Sequence, residues 1–232
     1  MKNLKTIFEK YGIGLDELQE KNFCRYFNHM VETNKFLNLT AITEEDEVVV
    51  KHFLDSVLPK NLFKDGATVI DVGSGAGFPA LPLKIVRNDL QICMLDSLNK
   101  RVNFLNEVVE KLRLKNIFAV HSRAEDYAKT KRESFDVATA RAVASLDTLV
   151  EYLLPFVKIG GCAIIYKAAK LAEELGLAKK AIEILGGKID KIVNFKIEEN
   201  DIERNVLVIK KIKQTPVKYP RGKNLPKTTP IK

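Results

Sequence analysis

The chain has 232 residues, 46% of them apolar, with 38 lysines and arginines against 30 aspartates and glutamates. That length holds one complete α/β core with a small accessory element and does not demand two domains. No apolar run of about 18 residues occurs, and Met1-Lys-Asn-Leu-Lys lacks the following apolar stretch of an export signal, so a cytoplasmic protein without a membrane span is expected.

The net charge of +8 is placed unevenly. Residues 210–232 carry eight basic groups and no acid, and removing them leaves 30 basic residues against 30 acidic ones. An electroneutral globule with a cationic tail suits a polyanion such as RNA, DNA or anionic lipid, although a solvated, partly disordered end would have the same composition. The cysteines Cys24, Cys93 and Cys162 lie far apart, as do His29, His52 and His121, so free thiols and no metal centre are expected.

In chain order, residues 1–60 read as a helical cap. Phe23, Phe27, Met30 and Val31 recur at helical spacing, and Thr43-Glu-Glu-Asp46 has the form of a capping box before Val49, Val50, Phe53, Leu54, Val57 and Leu58. Between them, Asn34–Ile42 fits a turn packed on the core. From Thr68 the pattern alternates. Short apolar runs at 68–72, 91–95, 117–121, 135–139 and 162–166 fit buried parallel strands, and the helical patterns between most of them give a doubly wound sheet. Among these helices are one at 98–112 and one from Leu146 to Leu153, with Ser145 available as a cap. A helix at 170–185 precedes two runs, 189–197 and 204–212, that can pair as an antiparallel hairpin. Half of the eight prolines then fall in the last 17 residues, which predicts an extended tail from 213 to 232. The organisation expected is therefore a cap at 1–60, a core at 61–212 and a basic tail at 213–232.

The α/β core turns on Val69-Ile-Asp-Val-Gly-Ser-Gly-Ala-Gly-Phe-Pro79, a strand, a glycine turn and a helix start. Glycines let a ligand approach the main chain, and the helix start offers unpaired N–H groups. A dinucleotide fingerprint, G-x-G-x-x-G, fails because Phe78 stands where its third glycine belongs. The pattern Asp71-x-Gly73-x-Gly75-x-Gly77 instead resembles the first motif of class I S-adenosylmethionine-dependent methyltransferases, which have a Rossmann-like fold. Asp96, ending a strand 23 positions after Gly73, suits the two hydroxyls of an adenosine ribose, or a helix cap, or both.

Seven stretches, the glycine turn among them, occur in order: Asn34-Lys-x-x-Asn38-Leu-Thr, His52-x-Leu-Asp-Ser56, Val72-Gly-Ser-Gly-Ala-Gly-Phe-Pro79, Leu95-Asp-Ser-x-x-Lys-Arg101, Ser122-Arg-Ala-Glu125, Ala140-Arg-Ala-Val143 and Glu203-Arg-Asn-Val-Leu-Val-Ile-Lys210. Together they resemble the bacterial glucose-inhibited division protein B family, whose members are small-subunit (16S) ribosomal RNA guanine-N7 methyltransferases. Two residues depart from it, Ala80 after Phe-Pro and Ala168 after Lys167, where glycines are usual. The resemblance implies S-adenosyl-L-methionine as the methyl donor and 16S rRNA or the small ribosomal subunit as partner; a monomer is expected, although no feature of the sequence speaks to oligomeric state. It further implies that Gly73, Gly75, Phe78 and Asp96 line the donor pocket, that Ala124 and Glu125 meet the adenine, and that Arg141 stands at the cofactor. A guanidinium at Arg141 could equally hold an RNA phosphate or form a surface ion pair. Arg123 and Lys167 are RNA-binding candidates, with Lys218, Arg221, Lys223 and Lys227 as a phosphate clamp. Deleting 214–232 is then expected to weaken RNA binding and spare cofactor affinity. A methyltransferase of small molecules or proteins and a non-catalytic assembly factor on the same fold are the alternatives.

Overall fold

The computed structural model describes residues 1–141, 144–167 and 171–231. Ala142 and Val143 of the sixth stretch, Ala168 and the tail's Lys232 therefore lie outside the described residues.

Two helices open the chain, α1 (Leu4–Lys10) and α2 (Glu17–Leu37). The second starts at a true capping box, in which Asp16 Oδ1 accepts from Gln19 N at 2.8 Å and Gln19 Oε1 from Asp16 N at 3.0 Å. The box expected at Thr43 does not form: α3 (Glu45–Val48) has Glu44 at its N-cap without a side-chain bond. Helix α3 runs through a π-helical stretch, Val49–Leu54, into α4 (Asp55–Val57). The turn expected at Asn34–Ile42 is shorter than that, since α2 continues to Leu37 and ends at Asn38, whose φ of 47° is left-handed.

The core follows the predicted alternation: β1 (Thr68–Val72), α5 (Ala80–Val86), β2 (Gln91–Asp96), α6 (Asn99–Lys111), β3 (Ile117–His121), α7 (Ala124–Tyr127), β4 (Phe135–Arg141), α8 (Leu146–Leu153), β5 (Val157–Lys167) and α9 (Leu171–Ile184). Ser145 does occupy the N-cap of α8, but its hydroxyl makes no capping bond. Strands β6 (Gly187–Ile197) and β7 (Ile202–Lys211) form the hairpin, and the sheet order is β3-β2-β1-β4-β5-β7-β6. Strands β1 to β5 are parallel; β7 runs antiparallel to both β5 and β6. The order reverses at β1, which pairs with β2 on one side and β4 on the other. A crevice at the carboxyl ends of these strands is the ligand position of such folds.

Alternation along the central strands buries both faces. Val69, Ile92, Met94, Val137 and Ile164 pack with the N-terminal helices, α5 and α6, whereas Ile70, Cys93, Leu95, Ala138 and Ile165 pack with α8 and α9. Residues 1–60 therefore share one continuous core with the sheet.

The C-terminal segment is docked, not extended. Tyr219, Pro226 and Ile231 are buried, and a short helix, α10 (Leu225–Thr228), lies against α8. Thr215 Oγ1 donates to Leu185 O at 2.7 Å, and Arg221 grips the fully buried Glu151 with Nε and Nη2, the latter at 2.7 Å. Prolines fix φ and remove donors, but they do not prevent a segment from packing when its other side chains find buried partners.

Candidate active site

Strand β1 ends in a turn that three features hold. Gly73 N and Ser74 N both donate to Leu95 O, at 2.7 and 3.2 Å, which ties the turn to β2. Gly77 has φ 99°, and a Cβ there would collide with the side chains of Leu81 and Tyr26. Tyr26, from α2, donates its hydroxyl hydrogen to Ala76 O from beneath. Gly77 thus serves packing against the cap, and the cap is part of the site's foundation.

Asp96 is 3% exposed and lies between two adjoining cavities. Its Oδ2 accepts from Gly75 N at 2.8 Å and its Oδ1 from Leu98 N at 2.9 Å. A carboxylate offers roughly four lone-pair positions, so about two stay available for a pair of hydroxyls. The local bond to Leu98 N just ahead of α6 leaves room for a second use of the same carboxylate.

The first cavity, 160 Å³, lies between Gly73, Asp96, Ser97, Arg123, Ala124, Glu125 and Tyr152. Glu125 is buried at its floor with Arg123 Nη1 3.6 Å away, and burial raises the pKa of the Tyr152 phenol, helped by the charge of Glu125. The second cavity, 360 Å³, shares Gly73, Asp96 and Ser97 with the first and continues past Gly75 and Phe78 to Leu39, Thr40, His52, Arg101 and Arg141. A hollow of 470 Å³ at the opposite end of the sheet, around Lys64, Asp136 and Lys158, contains none of the candidate residues.

Arg141, at the end of β4, is held by the cap. Its Nη1 donates to Asp55 Oδ2 at 2.8 Å and to Lys51 O at 3.2 Å, its Nη2 lies 3.2 Å from His52 Nδ1, and its guanidinium sits 4.8 Å over the Phe78 ring. Asp55, 4% exposed, also accepts from Arg204 Nε of β7 at 2.9 Å. His52 stacks on Phe78 with centroids 4.4 Å apart. Burial, then the Arg141 charge, lowers the pKa of His52 to about 4, so the ring is neutral. Beneath the glycine turn, the Asp71 carboxyl is wholly buried and has no hydrogen-bond partner among the described residues, and burial pushes its pKa up to about 7 against the opposing charge of Arg141.

Of the candidates named from sequence, Gly73, Gly75, Phe78, Asp96, Ala124, Glu125, Arg123 and Arg141 all line one or other cavity. Lys167 does not: it donates to Ala144 O at 2.9 Å and to Glu174 Oε2 at 2.6 Å. Arg221 is turned inward to Glu151, while Lys218, Lys223 and Lys227 are exposed. Sequence reasoning left Thr40, His52, Asp55, Arg101, Tyr152 and Arg204 without roles. All but Tyr152 sit inside the quoted stretches, which was their one signal; Tyr152 lies in a helix with no local mark.

A family model described as rRNA small subunit methyltransferase G (GidB) matches residues 19–206. The chain belongs to this family. Curated relatives called Ribosomal RNA small subunit methyltransferase G include one from Acetivibrio thermocellus, 50% identical over 95% of this chain and 92% of its own length. Another, from Lactobacillus acidophilus, is 48% identical over 96% of this chain and 95% of its own. Among solved structures, a SAM dependent methyltransferase from Aquifex aeolicus superposes with a TM-score of 0.54 at 21% identity, covering 74% of this chain and 96% of that one. M. jannaschii TYW2, solved in complex with AdoMet, gives 0.52 at 16% identity over 68% and 77%. At such identities the likeness concerns the fold, the class I methyltransferase architecture. As a member of the rRNA small subunit methyltransferase G family the chain is a methyltransferase. Among its described residues no helix is long and apolar enough to cross a membrane, and no cluster of three or more His, Cys, Asp or Glu could hold a metal.

Proposed function

We propose that this chain transfers a methyl group from S-adenosylmethionine to N7 of a guanine in small-subunit (16S) ribosomal RNA. The observation that carries the reading is the pair of cavities meeting at Gly73 and buried Asp96 in a member of this family. Asp96, with lone pairs to spare, suits the ribose hydroxyls; Ala124, Glu125 and Tyr152 suit the adenine; Gly73, Gly75 and Phe78 suit the rest of the donor. When bound, S-adenosylmethionine supplies an electrophilic methyl group on a sulfonium cation.

The residues around the second cavity fit a reaction without a base. Guanine N7 presents its lone pair without losing a proton, so the chain has only to position the purine and exclude water. Neutral His52, stacked on Phe78, gives an apolar wall for a ring. Asp55, Lys51 O and His52 turn the Arg141 Nη atoms toward the cap, which keeps a cation from donating to N7 and quenching the nucleophile. N7 lies on the edge that an A-form duplex buries in its deep groove, so the target guanine is unpaired or drawn from its stack. Exposed Lys218, Lys223, Lys227 and Arg123 are the phosphate contacts on this reading. Lys167 and Arg221 serve internal ion pairs instead. The cap at 1–60, the core at 61–212 and the tail at 213–232 then act as site wall, donor site and RNA contact.

The test is transfer of labelled methyl from S-adenosylmethionine to small-subunit rRNA from cells lacking this gene, with the product nucleoside identified. The expected product is 7-methylguanosine; its absence sinks the reading, and retention of RNA binding without donor binding would favour an assembly factor.

A further inference from the structure

Thr40 is fixed more completely than a turn residue needs to be. The Asn34 side chain accepts from Thr40 N at 2.9 Å and donates to Thr40 O at 2.9 Å, so the backbone is pinned from both sides. The hydroxyl oxygen lies 2.8 Å from His52 Nε2 and accepts from Ile42 N at 3.1 Å. Thr40, His52, Phe78 and Arg141 all face the second cavity.

The direction of the proton at Thr40 follows from Arg141. A guanidinium has N–H donors and no acceptor, so where Arg141 Nη2 approaches His52 Nδ1 at 3.2 Å the ring presents a lone pair. Lys51 O also lies 3.1 Å from Nδ1 and has a lone pair left for it, but a hydrogen on Nδ1 would point its positive end at the Arg141 cation, and the other tautomer avoids this. The neutral ring therefore carries its hydrogen on Nε2 and donates it to Thr40 Oγ1. With Ile42 N as the second donor, both lone pairs of that oxygen are used. The hydroxyl keeps one capacity, its own hydrogen.

Such a group can choose between purines. Guanine and adenine both offer an N7 lone pair on the same edge; beside it guanine has the O6 acceptor and adenine the N6 amino donor. We propose that the Thr40 hydroxyl donates to O6 of the target guanine and so selects guanine over adenine, with His52 as the positioning residue that makes it a donor. The inference rests on the guanine-N7 reading above. A neutral donor suits this place, because a methylated purine becomes cationic and would be repelled by a second cation held against O6.

The experiment begins by mapping the 7-methylguanosine made by the wild-type chain. Small-subunit rRNA is then rebuilt with guanine, inosine or 2-aminopurine at that nucleotide; inosine keeps O6 and N7 and lacks the 2-amino group, whereas 2-aminopurine keeps N7 and the 2-amino group and lacks O6. The wild type is expected to treat guanine and inosine alike and to use 2-aminopurine about tenfold less well in kcat/KM, the scale of one hydrogen bond. Thr40→Val should slow guanine about tenfold and leave 2-aminopurine unchanged, abolishing the discrimination; Thr40→Ser should restore it. Cofactor affinity should be the same in all three proteins. Thr40→Val that still discriminates, or that slows both substrates equally, overturns the proposal. Failure of the wild type to make 7-methylguanosine overturns the underlying reading, and this proposal with it.

Discussion

The two ends of the chain are fastened to the α/β core by the same chemistry, a buried carboxylate gripped by arginine, with different consequences. At the N-terminal side, Asp55 holds Arg141 from β4 and Arg204 from β7. One of those arginines forms a wall of the second cavity, so the cap's anchoring charges are also charges of the site. At the C-terminal side, Glu151 of α8 holds Arg221, and its link to the site runs through the next residue, Tyr152, in the wall of the first cavity. Composition made the tail the part to suspect of contacting substrate. The cap lines the second cavity, while the tail packs against α8 and leaves Lys218, Lys223 and Lys227 facing solvent.

The sharpest way to break this contrast is Asp55→Ala. It leaves two arginines beside one another with no counter-charge, and losing one side of a buried ion pair costs about 3–5 kcal/mol. Urea unfolding should show a loss of that size, and methyl transfer should fall more than tenfold as Arg141 loses its orientation. A loss below about 1 kcal/mol with normal transfer would mean that apolar contacts alone hold the cap in place.

Glu151→Gln should do less. The carboxylate is wholly buried but Arg221 is 25% exposed, so water replaces part of the lost interaction, and about 2 kcal/mol is expected. The first sign should be local: trypsin should cut after Arg221 and Lys223 well before global unfolding. Cofactor affinity should drop a few-fold because Tyr152 loses its brace. Unchanged cleavage would mean that Pro226, Tyr219 and Thr215 dock the tail unaided. The Arg221–Glu151 pair also makes deletion of 214–232 a poor probe of RNA binding, since the deletion removes the partner of a buried acid.

The sheet and the donor side of the site were legible because their signals are local. Buried parallel strands read as short apolar runs, and a turn with Gly73, Gly75 and Gly77 at positive φ admits few residues other than glycine. Asp96 was legible from strand end and spacing together. The cap side of the second cavity was not, because it depends on the π-helical stretch at Val49–Leu54, which carries His52 and leads into Asp55 and has no pattern of its own in the sequence. The docked tail was hidden for another reason. Its partner, Glu151, is an acid in an amphipathic helix, which ordinarily reads as a solvent-facing residue. Counting charges misled in the same way: of the eight basic residues at 210–232, Lys210 and Lys211 belong to β7 and pair with Asp190 and Glu133, and Arg221 pairs with Glu151.

That leaves the smallest expected effect on the protein itself, and the one that decides what the tail is for. Lys218, Lys223 and Lys227 are exposed and form no ion pair among the described residues. The α10 helix that carries Lys227 touches the first turn of α8, where Thr148 Oγ1 donates to Pro226 O at 3.0 Å. Because α8 begins just beyond the carboxyl end of β4, Lys227 stands on the side of the sheet where the crevice opens, whereas Lys218 precedes Tyr219, whose carbonyl accepts from Arg132 ahead of β4. Replacing all three with alanine should change stability by less than about 0.5 kcal/mol and leave cofactor affinity unaltered. RNA binding should weaken at every salt concentration, and the slope of log K against log salt should become shallower by about 2–3, near 0.7–0.9 for each phosphate contact removed. An unchanged slope would assign the phosphate contacts to Arg123 and the cap, and would reduce the tail to a brace for α8.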